Sequence, residues 1–313
     1  MSQPTDDPVA ALDTAAWALA AVIGTLSDAS DAPLSDVLAA DPARTEVLRA
    51  AGLVSKDGDV FTPHPALAHA DGPTAMSAAQ ARLSSLRQAL AAAQGSADGS
   101  DRGWAQQEDA VLLHQGRASA MTGRALAGKV VPALPGLAEA LAAEGGRVLD
   151  VGTGVAALAL VLAQAFPRAH LVGVDILERV LELARGELAA ADAEVADRIS
   201  LRRLDVAEIS EPAAYDLVWL PAPFLSEAAL TAAVPQLADA LKPGGWIVAG
   251  TNPAVPEPLR QAVAGWNAVR NGGNSWDTDR VAHALAACGL GGETRFPTVP
   301  GGPVLVAARR GTG

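Results

Sequence analysis

What the chain has little of narrows it first. Its 313 residues include a single cysteine, Cys288, so no internal disulfide framework is available and a reducing compartment is expected. Lysine is scarce, 3 against 20 arginines, and all cations together (23) are outnumbered by 35 Asp+Glu, for a net charge of −12. An excess of that size argues against a phosphate-binding face for nucleic acid. The first 100 residues carry 5 Lys+Arg against 12 Asp+Glu, so no basic arm is hidden there. Apolar runs such as 155–166 fall short of the ~18–20 residues that span a bilayer. The start, MSQPTDDPVAALD, lacks the basic residues that open a signal peptide. The expectation is a cytoplasmic protein with no membrane partner, no nucleic-acid partner and no metal site.

What is present is apolar: half of the residues, enough for a sizeable core in a chain longer than one ordinary domain. Residues 9–26 read as a helix that is apolar around most of its circumference. Shorter helices follow at 33–40 and 42–51, the second closed by Gly52. In LVSKDGDVFTPHP, Asp57-Gly58 marks a tight turn between two short strands. Three helices and a hairpin give a winged-helix-like domain over 1–75. A helical linker and lid spans 76–136, with helices at 76–94 and 104–128 around the loop 94–103. Pro132, Pro135 and Gly136 punctuate its end.

From 137 to 313 the texture becomes an alternation of helix and apolar strand. Strands are expected at 147–151, 170–175, 199–205, 215–220 and 245–250, the pattern of a mostly parallel sheet covered on both faces. Two further strands, 293–297 and 304–310, flank a Gly/Pro turn and form a closing hairpin. The fold class is therefore α/β, a seven-stranded mostly parallel sheet with an antiparallel terminal strand, behind a mainly helical front domain.

Four sites on this sheet carry chemistry. Val148 to Gly154 reads VLDVGTG: a strand ends at Asp150, and Gly152 and Gly154, either side of Thr153, allow a sharp turn with backbone close to a ligand. A helix is expected from about Val155. Asp175, followed by Ile176, ends the next strand 21 residues after Gly154, where a carboxylate can accept from ribose hydroxyls. Asp205-Val206 ends the third and suits an adenine amine. LKPGGW, 241–246, reads as a helix end and turn before the fifth strand.

In this order the four sites resemble the class I, Rossmann-like S-adenosylmethionine-dependent methyltransferases. The family's first motif, (D/E)xGxGxG, is met by Asp150, Gly152 and Gly154, with Ala156 in place of the third glycine. The resemblance covers 137–313. It implies S-adenosyl-L-methionine as cofactor, held by Asp150, Gly152, Thr153, Gly154, Asp175, Ile176, Asp205, Val206 and Leu220. The front domain resembles that of small-molecule O-methyltransferases that dimerise through it, which implies a homodimer. In that relationship a His-containing stretch follows the fourth strand. Here the segment is YDLVWLPAPFL, without His. Nucleobase amino-methyltransferases place a polar-Pro-Pro-aromatic motif at that point. Leu220-Pro221-Ala222-Pro223-Phe224 has its prolines apart and Leu in the polar position.

His114, on the helix ahead of the cofactor domain, is the candidate general base, with Gln115 and Arg117 beside it as candidate contacts to the cofactor's carboxylate. His64, His69 and His283 read as surface or packing residues. Trp219 and Phe224 after the fourth strand, with Trp266, Asn267, Arg270 and Trp276 after the fifth, are candidates to line an acceptor pocket suited to an apolar or planar natural-product molecule. Methyl transfer from a sulfonium is an in-line displacement on an activated donor, so positioning can supply much of the rate without a strong base. Two rival readings are an NAD(P)-dependent oxidoreductase, since Gly-x-Gly with a later acid also serves that cofactor, and a ligand-sensing winged-helix regulator. The regulator would need a basic recognition helix. Residues 33–51 offer two arginines among more acids.

Overall fold

The computed structural model describes residues 7–29, 32–58, 60–64, 73–94, 103–252, 257–298 and 303–312, with no side-chain description for Pro8 or 73–83. His69 and most of the 94–103 loop lie outside the described residues. The chain divides into two compact units, Met1–Gln94 and Gly95–Gly313. The segment 76–136, read in sequence as one linker, is thus shared between them.

The first unit holds α1 (Pro8–Asp28), α2 (Leu34–Ala40), α3 (Pro42–Ala50), an antiparallel ribbon of β1 (Val54–Asp57) and β2 (Val60–Pro63), and α4 (Pro73–Gln94). Asp7 and Asp41 start α1 and α3 by accepting from Val9 N–H and Arg44 N–H, each with proline in the first turn. Ala21, Val22, Leu26, Leu38, Leu48 and Val54 form its core, joined by Leu86 of α4. One expectation is corrected here. Val9–Asp28 is long and apolar enough to cross a membrane by length and composition, because Asp13 and Thr14 dilute its hydropathy too little. Val9, Leu12 and Trp17 on it are each 70% exposed.

The second unit begins with a 3-10 turn at Trp104–Gln106 and α5 (Asp109–Ala125), which runs through a π-helical turn at Leu126–Val130 into α6 (Val131–Ala133). There follow α7 (Leu137–Ala142), β3 (Arg147–Val151), α8 (Ala157–Ala165), β4 (His170–Asp175), α9 (Glu178–Ala189), α10 (Ala193–Ala196), β5 (Ile199–Arg203), β6 (Tyr215–Pro221), α11 (Glu227–Ala240), β7 (Leu241–Gly250), α12 (Pro258–Arg270), α13 (Thr278–Ala287), β8 (Gly291–Pro297) and β9 (Val304–Arg309). Among the described residues the sheet has seven strands in the order β5-β4-β3-β6-β7-β9-β8. The first five run parallel, and β9 is antiparallel to both β7 and β8.

Strand alternation divides the core. Leu149, Val151, Val218, Leu220, Ile247 and Ala249 face one cluster with α11 and α13. Val148, Leu217, Trp219, Trp246 and Val248 face another with α7, α8 and the π turn. LKPGGW lies inside β7 rather than before it, with Gly244 at φ +80° and a register shift opposite Tyr215 and Leu217. Lys242 anchors it, bonding Asp216 at 2.6 Å and the Gly145 carbonyl at 3.2 Å. Asp216 also accepts from Arg147 N–H. This motif stitches the amino ends of the strands together, far along the sheet from their carboxyl ends.

Helix α8 starts two residues later than the spacing suggested, because Ala156 occupies the left-handed region at φ 63°, ψ 16°. A non-glycine residue there is strained by ~1–2 kcal/mol, set against its fully buried methyl, worth ~0.8 kcal/mol. Ala156→Gly is therefore expected to leave stability within about 0.5 kcal/mol of the parent once glycine's greater unfolded-state freedom is included. Ala159→Gly, equally buried but inside α8, loses the same methyl with no strain to relieve and is expected to cost about 1–2 kcal/mol. Denaturant titration of both variants checks the contrast.

Candidate functional site

The site gathers where the strand order reverses, at the carboxyl ends of β3, β4 and β6, the place where open α/β sheets hold ligands. After β3 the backbone turns through Gly152 (φ +58°) and Gly154 (φ +57°). A Cβ on Gly152 would lie 3.5 Å from Pro221 at the end of β6, and one on Gly154 would lie 3.9 Å from Gly116 Cα. Helix α5 therefore crosses directly over the loop. A side chain at Gly116 would overlap Val155, and one at Gly123 would press on α8 at Val161 and the Leu158 carbonyl. Two glycines one heptad apart let the helix sit this low.

Two carboxylates support the turn from below. Asp150 is buried, and its Oδ2 accepts from Thr153 Oγ1 at 2.7 Å. Thr153 in turn fills the space a side chain on Gly173 would need. Burial pushes the Asp150 carboxyl up to about 7. The Thr153 hydroxyl opposes that shift and the nearby Asp175 adds to it. Asp175 accepts from Gly154 N–H at 3.2 Å on Oδ2 and from Leu177 N–H at 3.0 Å on Oδ1. Burial raises its pKa against those backbone donors. Each oxygen keeps a lone pair for a further donor such as a ribose hydroxyl. Ile176 beside it is 58% exposed. Asp205 accepts from Ala207 N–H at 2.9 Å, capping a short turn over buried Val206, and stays exposed at the strand end.

The upper wall comes from three separated segments. Trp104 packs on Phe224, ring centroids 5.6 Å apart. Gly103 N–H bonds the Arg270 carbonyl, and Gln107 Nε2 donates to Asn271 Oδ1. Arg179 of α9 donates to Asp109 and to the Gln107 carbonyl. Asn274, buried, donates to the Ala222 and Leu225 carbonyls. Trp104, Gln107, Arg179, Asn271 and Asn274 went unnoticed in the sequence. Among them only Trp104, an isolated aromatic after a glycine-rich stretch, carried any signal.

The sequence candidates separate accordingly. Asp150, Gly152, Thr153, Gly154, Asp175 and Ile176 are brought together at the turn. His114 and Gln115 lie on α5 just ahead of Gly116. Arg117 does not offer a free fork, since Glu187 of α9 takes it with bonds of 3.0 and 2.7 Å. Leu220 has its side chain in the core, which leaves only backbone for a ligand. Trp219 is a correction. It is buried in the face packed by α8, where Gly250 accommodates its ring, so it is a core residue and not a crevice wall. Phe224 is 44% exposed and does stand at the strand end. Trp266 and Asn267 are corrections too, because they lie on the solvent face of α12. Arg270 is buried at the end of that helix. Trp276 is buried in the core with Arg280 over its ring at 4.3 Å. His283 bonds the Asp279 carbonyl within its own helix. Among the described residues no three His, Cys, Asp or Glu gather as a metal-binding set.

Comparison with known proteins identifies the sheet. Residues 148–245 match the family described as "Methyltransferase domain". This stretch is a methyltransferase domain. A release factor glutamine methyltransferase of Koribacter versatilis is 27% identical over 147 residues, 38% of this chain and 51% of that protein. The chain thus spans about half the length of that relative, and its match to the ribosomal protein uL3 glutamine methyltransferase of Bordetella pertussis, 36% identical over 90 residues, covers 29% of each. Among solved structures, human N-acetylserotonin methyltransferase in complex with SAM aligns over 100% of both chains with a TM-score of 0.67 at 16% identity. That likeness is one of fold, and it extends through the front unit as well as the methyltransferase domain.

The Asp150 carboxyl gives a pH test. Its pKa is about 7 in the fold against 3.8 unfolded, so the fold binds the proton more tightly. Its stabilising effect is complete below about pH 4 and is lost as pH rises through about 7. Asp150→Asn cannot ionise, so its stability relative to the parent is expected to rise by roughly 1–4 kcal/mol between pH 4 and pH 8. Denaturation midpoints across that range read the difference, and a flat difference would contradict the assigned shift.

Proposed function

We propose that the protein transfers a methyl group from S-adenosyl-L-methionine to a small natural-product acceptor of apolar or planar shape, as a homodimer in the cytoplasm. The observation that carries this reading is the turn at Gly152 and Gly154, with Asp175 bonded to it and Gly116 of α5 closing it from above. The cradle has the shape and the donor set for the cofactor: exposed backbone at Gly152, half-buried backbone at Gly154, and the half-buried Asp175 carboxylate with lone pairs to spare for ribose hydroxyls. When bound there, the cofactor supplies a methyl group on sulfonium sulfur.

The chain's own work is then to position. Asp175 orients the ribose end, Asp205 and Val206 the adenine end, and α5 excludes water from above. Gln115, beside Gly116 on α5, is the remaining candidate for the amino-acid end, because the Arg117–Glu187 pair counts against Arg117 in that role. Phe224 and Trp104 offer apolar faces on the acceptor side. Among the described residues His114 is the one imidazole near the turn, but the segment 222–226 that follows β6 holds no acid or imidazole, so positioning carries the rate and a general base contributes little.

The front unit supports a dimerising winged-helix role. Its three helices and ribbon have that order, and the exposed Val9, Leu12 and Trp17 of α1 need a cover that a second copy can give. DNA binding is not proposed, because Arg44 is paired with Asp28 at 2.7 Å and Arg49 with Glu46 at 2.6 Å on α3. The oxidoreductase rival is disfavoured by the β9–β8 pair, which a plain dinucleotide-binding sheet lacks.

Calorimetry with S-adenosylhomocysteine is the first test. The parent should bind, while Asp175→Ala and Gly152→Val should each lose measurable binding, through the lost ribose contacts and the blocked backbone approach. Near-parental affinity in both variants would sink the cofactor site. Light scattering should return twice the 31.6 kDa chain mass at micromolar concentration. Once an acceptor is found by labelled-methyl screening, His114→Ala should lower kcat less than about tenfold, against the 10²–10⁴-fold typical of a lost general base.

A further inference from the structure

Helix α5 roofs the glycine loop, and its packing on α8 at bare Gly116 and Gly123 sets how low it sits. Its register against α9 is set by charge. Asp109 and Arg117 lie eight residues apart on α5, about 12 Å along its axis, and Arg179 and Glu187 lie eight apart on α9. Each pairs with the residue 70 positions away: Asp109 with Arg179, and Arg117 with Glu187. The two helices therefore run parallel and in register over this stretch. The charges follow opposite orders, acid then base on α5 and base then acid on α9.

Both pairs use the arginine fork. Arg117 donates through Nε and Nη2 to the two oxygens of Glu187, at 3.0 and 2.7 Å. Arg179 meets Asp109 Oδ1 with Nε at 2.7 Å and Nη2 at 2.6 Å, and its Nη1 donates to the Gln107 carbonyl at 3.0 Å. Their places relative to the cradle give them a use. Arg117 directly follows Gly116, the residue that lies against Gly154. Arg179 stands in the first turn of α9, two residues past Leu177, whose N–H bonds the Asp175 carboxylate. One pair thus holds the roof beside the glycine loop. The other joins the start of α5 to the turn that carries the ribose carboxylate. Sliding α5 by one helical turn, ~5.4 Å, would break both.

We propose that these two ion pairs form a clasp that sets the register of α5 over the cofactor cradle. Asp109, Arg117, Arg179 and Glu187 are then positioning residues for S-adenosylmethionine that act without touching it. Their side chains are 25–57% exposed, so salt screens the clasp and each pair is worth a few-fold in affinity, about fivefold at most. This rests on the cofactor reading of the cradle, and its failure can be told apart from the failure of that reading.

Calorimetry with S-adenosylhomocysteine at low salt reads both. A parent that does not bind overturns the cofactor reading, and the clasp with it. In a parent that binds, Asp109→Asn and Arg179→Gln should each weaken affinity about three- to fivefold. The two together should cost no more than about fivefold, because the second removes a partner already lost. Arg117→Glu and Glu187→Arg each set like charges face to face and should weaken binding about five- to tenfold. Combined, they restore an opposite pair, and affinity should return to within about twofold of the parent. Raising NaCl to about 1 M, where screening reaches ~3 Å, should bring the parent down to the level of the Asp109→Asn/Glu187→Gln variant, whose own affinity should stay flat. A parent indifferent to salt would overturn the clasp. So would a swapped variant as weak as Arg117→Glu alone, since the guanidinium would then serve the ligand directly from position 117. Single variants that unfold earlier in denaturant yet bind as the parent does would show pairs that are merely structural, and would overturn it too.

Discussion

Between β3 and α8 the backbone enters the left-handed region three times in five residues, at Gly152, Gly154 and Ala156, and the placement of everything around the site follows from that turn. Without side chains at 152 and 154, Pro221 can approach from one side and Gly116 from the other. Because Gly116 is itself bare, α5 can rest on the loop, and Gly123 lets the same helix continue against α8. The N–H of Gly154 then meets Asp175, which ties the end of β4 to the end of β3. The strain of Ala156 is held in place because its methyl group is wholly enclosed by the packed face of the sheet.

Much of this was legible because the information is local. Strand, turn and acid lie within a few residues of one another, and periodic apolar runs mark the strands to within a few positions. Trp219 was misplaced for a reason that is equally physical. Both faces of β6 are buried, so the strand reads as one continuous apolar run with no alternation to say which face is which. Trp219 and Leu220 then point to opposite clusters with nothing in the sequence to assign them. Trp266 and Asn267 of α12 were read as pocket lining from order along the chain, whereas which side of a helix meets solvent depends on what packs beneath it. Asn274 was invisible because its partners are 49 and 52 residues away, and an asparagine in an NGGN stretch looks like turn chemistry.

The imbalance of 20 arginines to 3 lysines acquires a structural use. Arg198 spends its guanidinium on the carbonyls of Ala163, Phe166 and Ala169, and Arg310 on those of Ala238, Asp239 and Leu241. These carbonyls lie at or just past the C-terminal ends of α8 and α11, where no further helical turn donates to them. A planar fork with five donors reaches several at once, which an ammonium group does less well. Arg179 applies the same geometry between α9 and the segment leading into α5.

The position of β9 between β7 and β8 bears on how the chain acquires its shape during synthesis. Strand β8 leaves the ribosome first, yet its sheet neighbour is β9, which follows it, and five of the first six residues of β8 stay exposed even in the finished sheet. The parallel half, from β3 to β7, can assemble while translation continues, but its edge at β7 stays open until β9 arrives. An unpaired edge of that kind invites pairing with another nascent chain. The acidic character of the chain then acts in time as well as in space, keeping neighbouring copies apart over the interval when the sheet is incomplete.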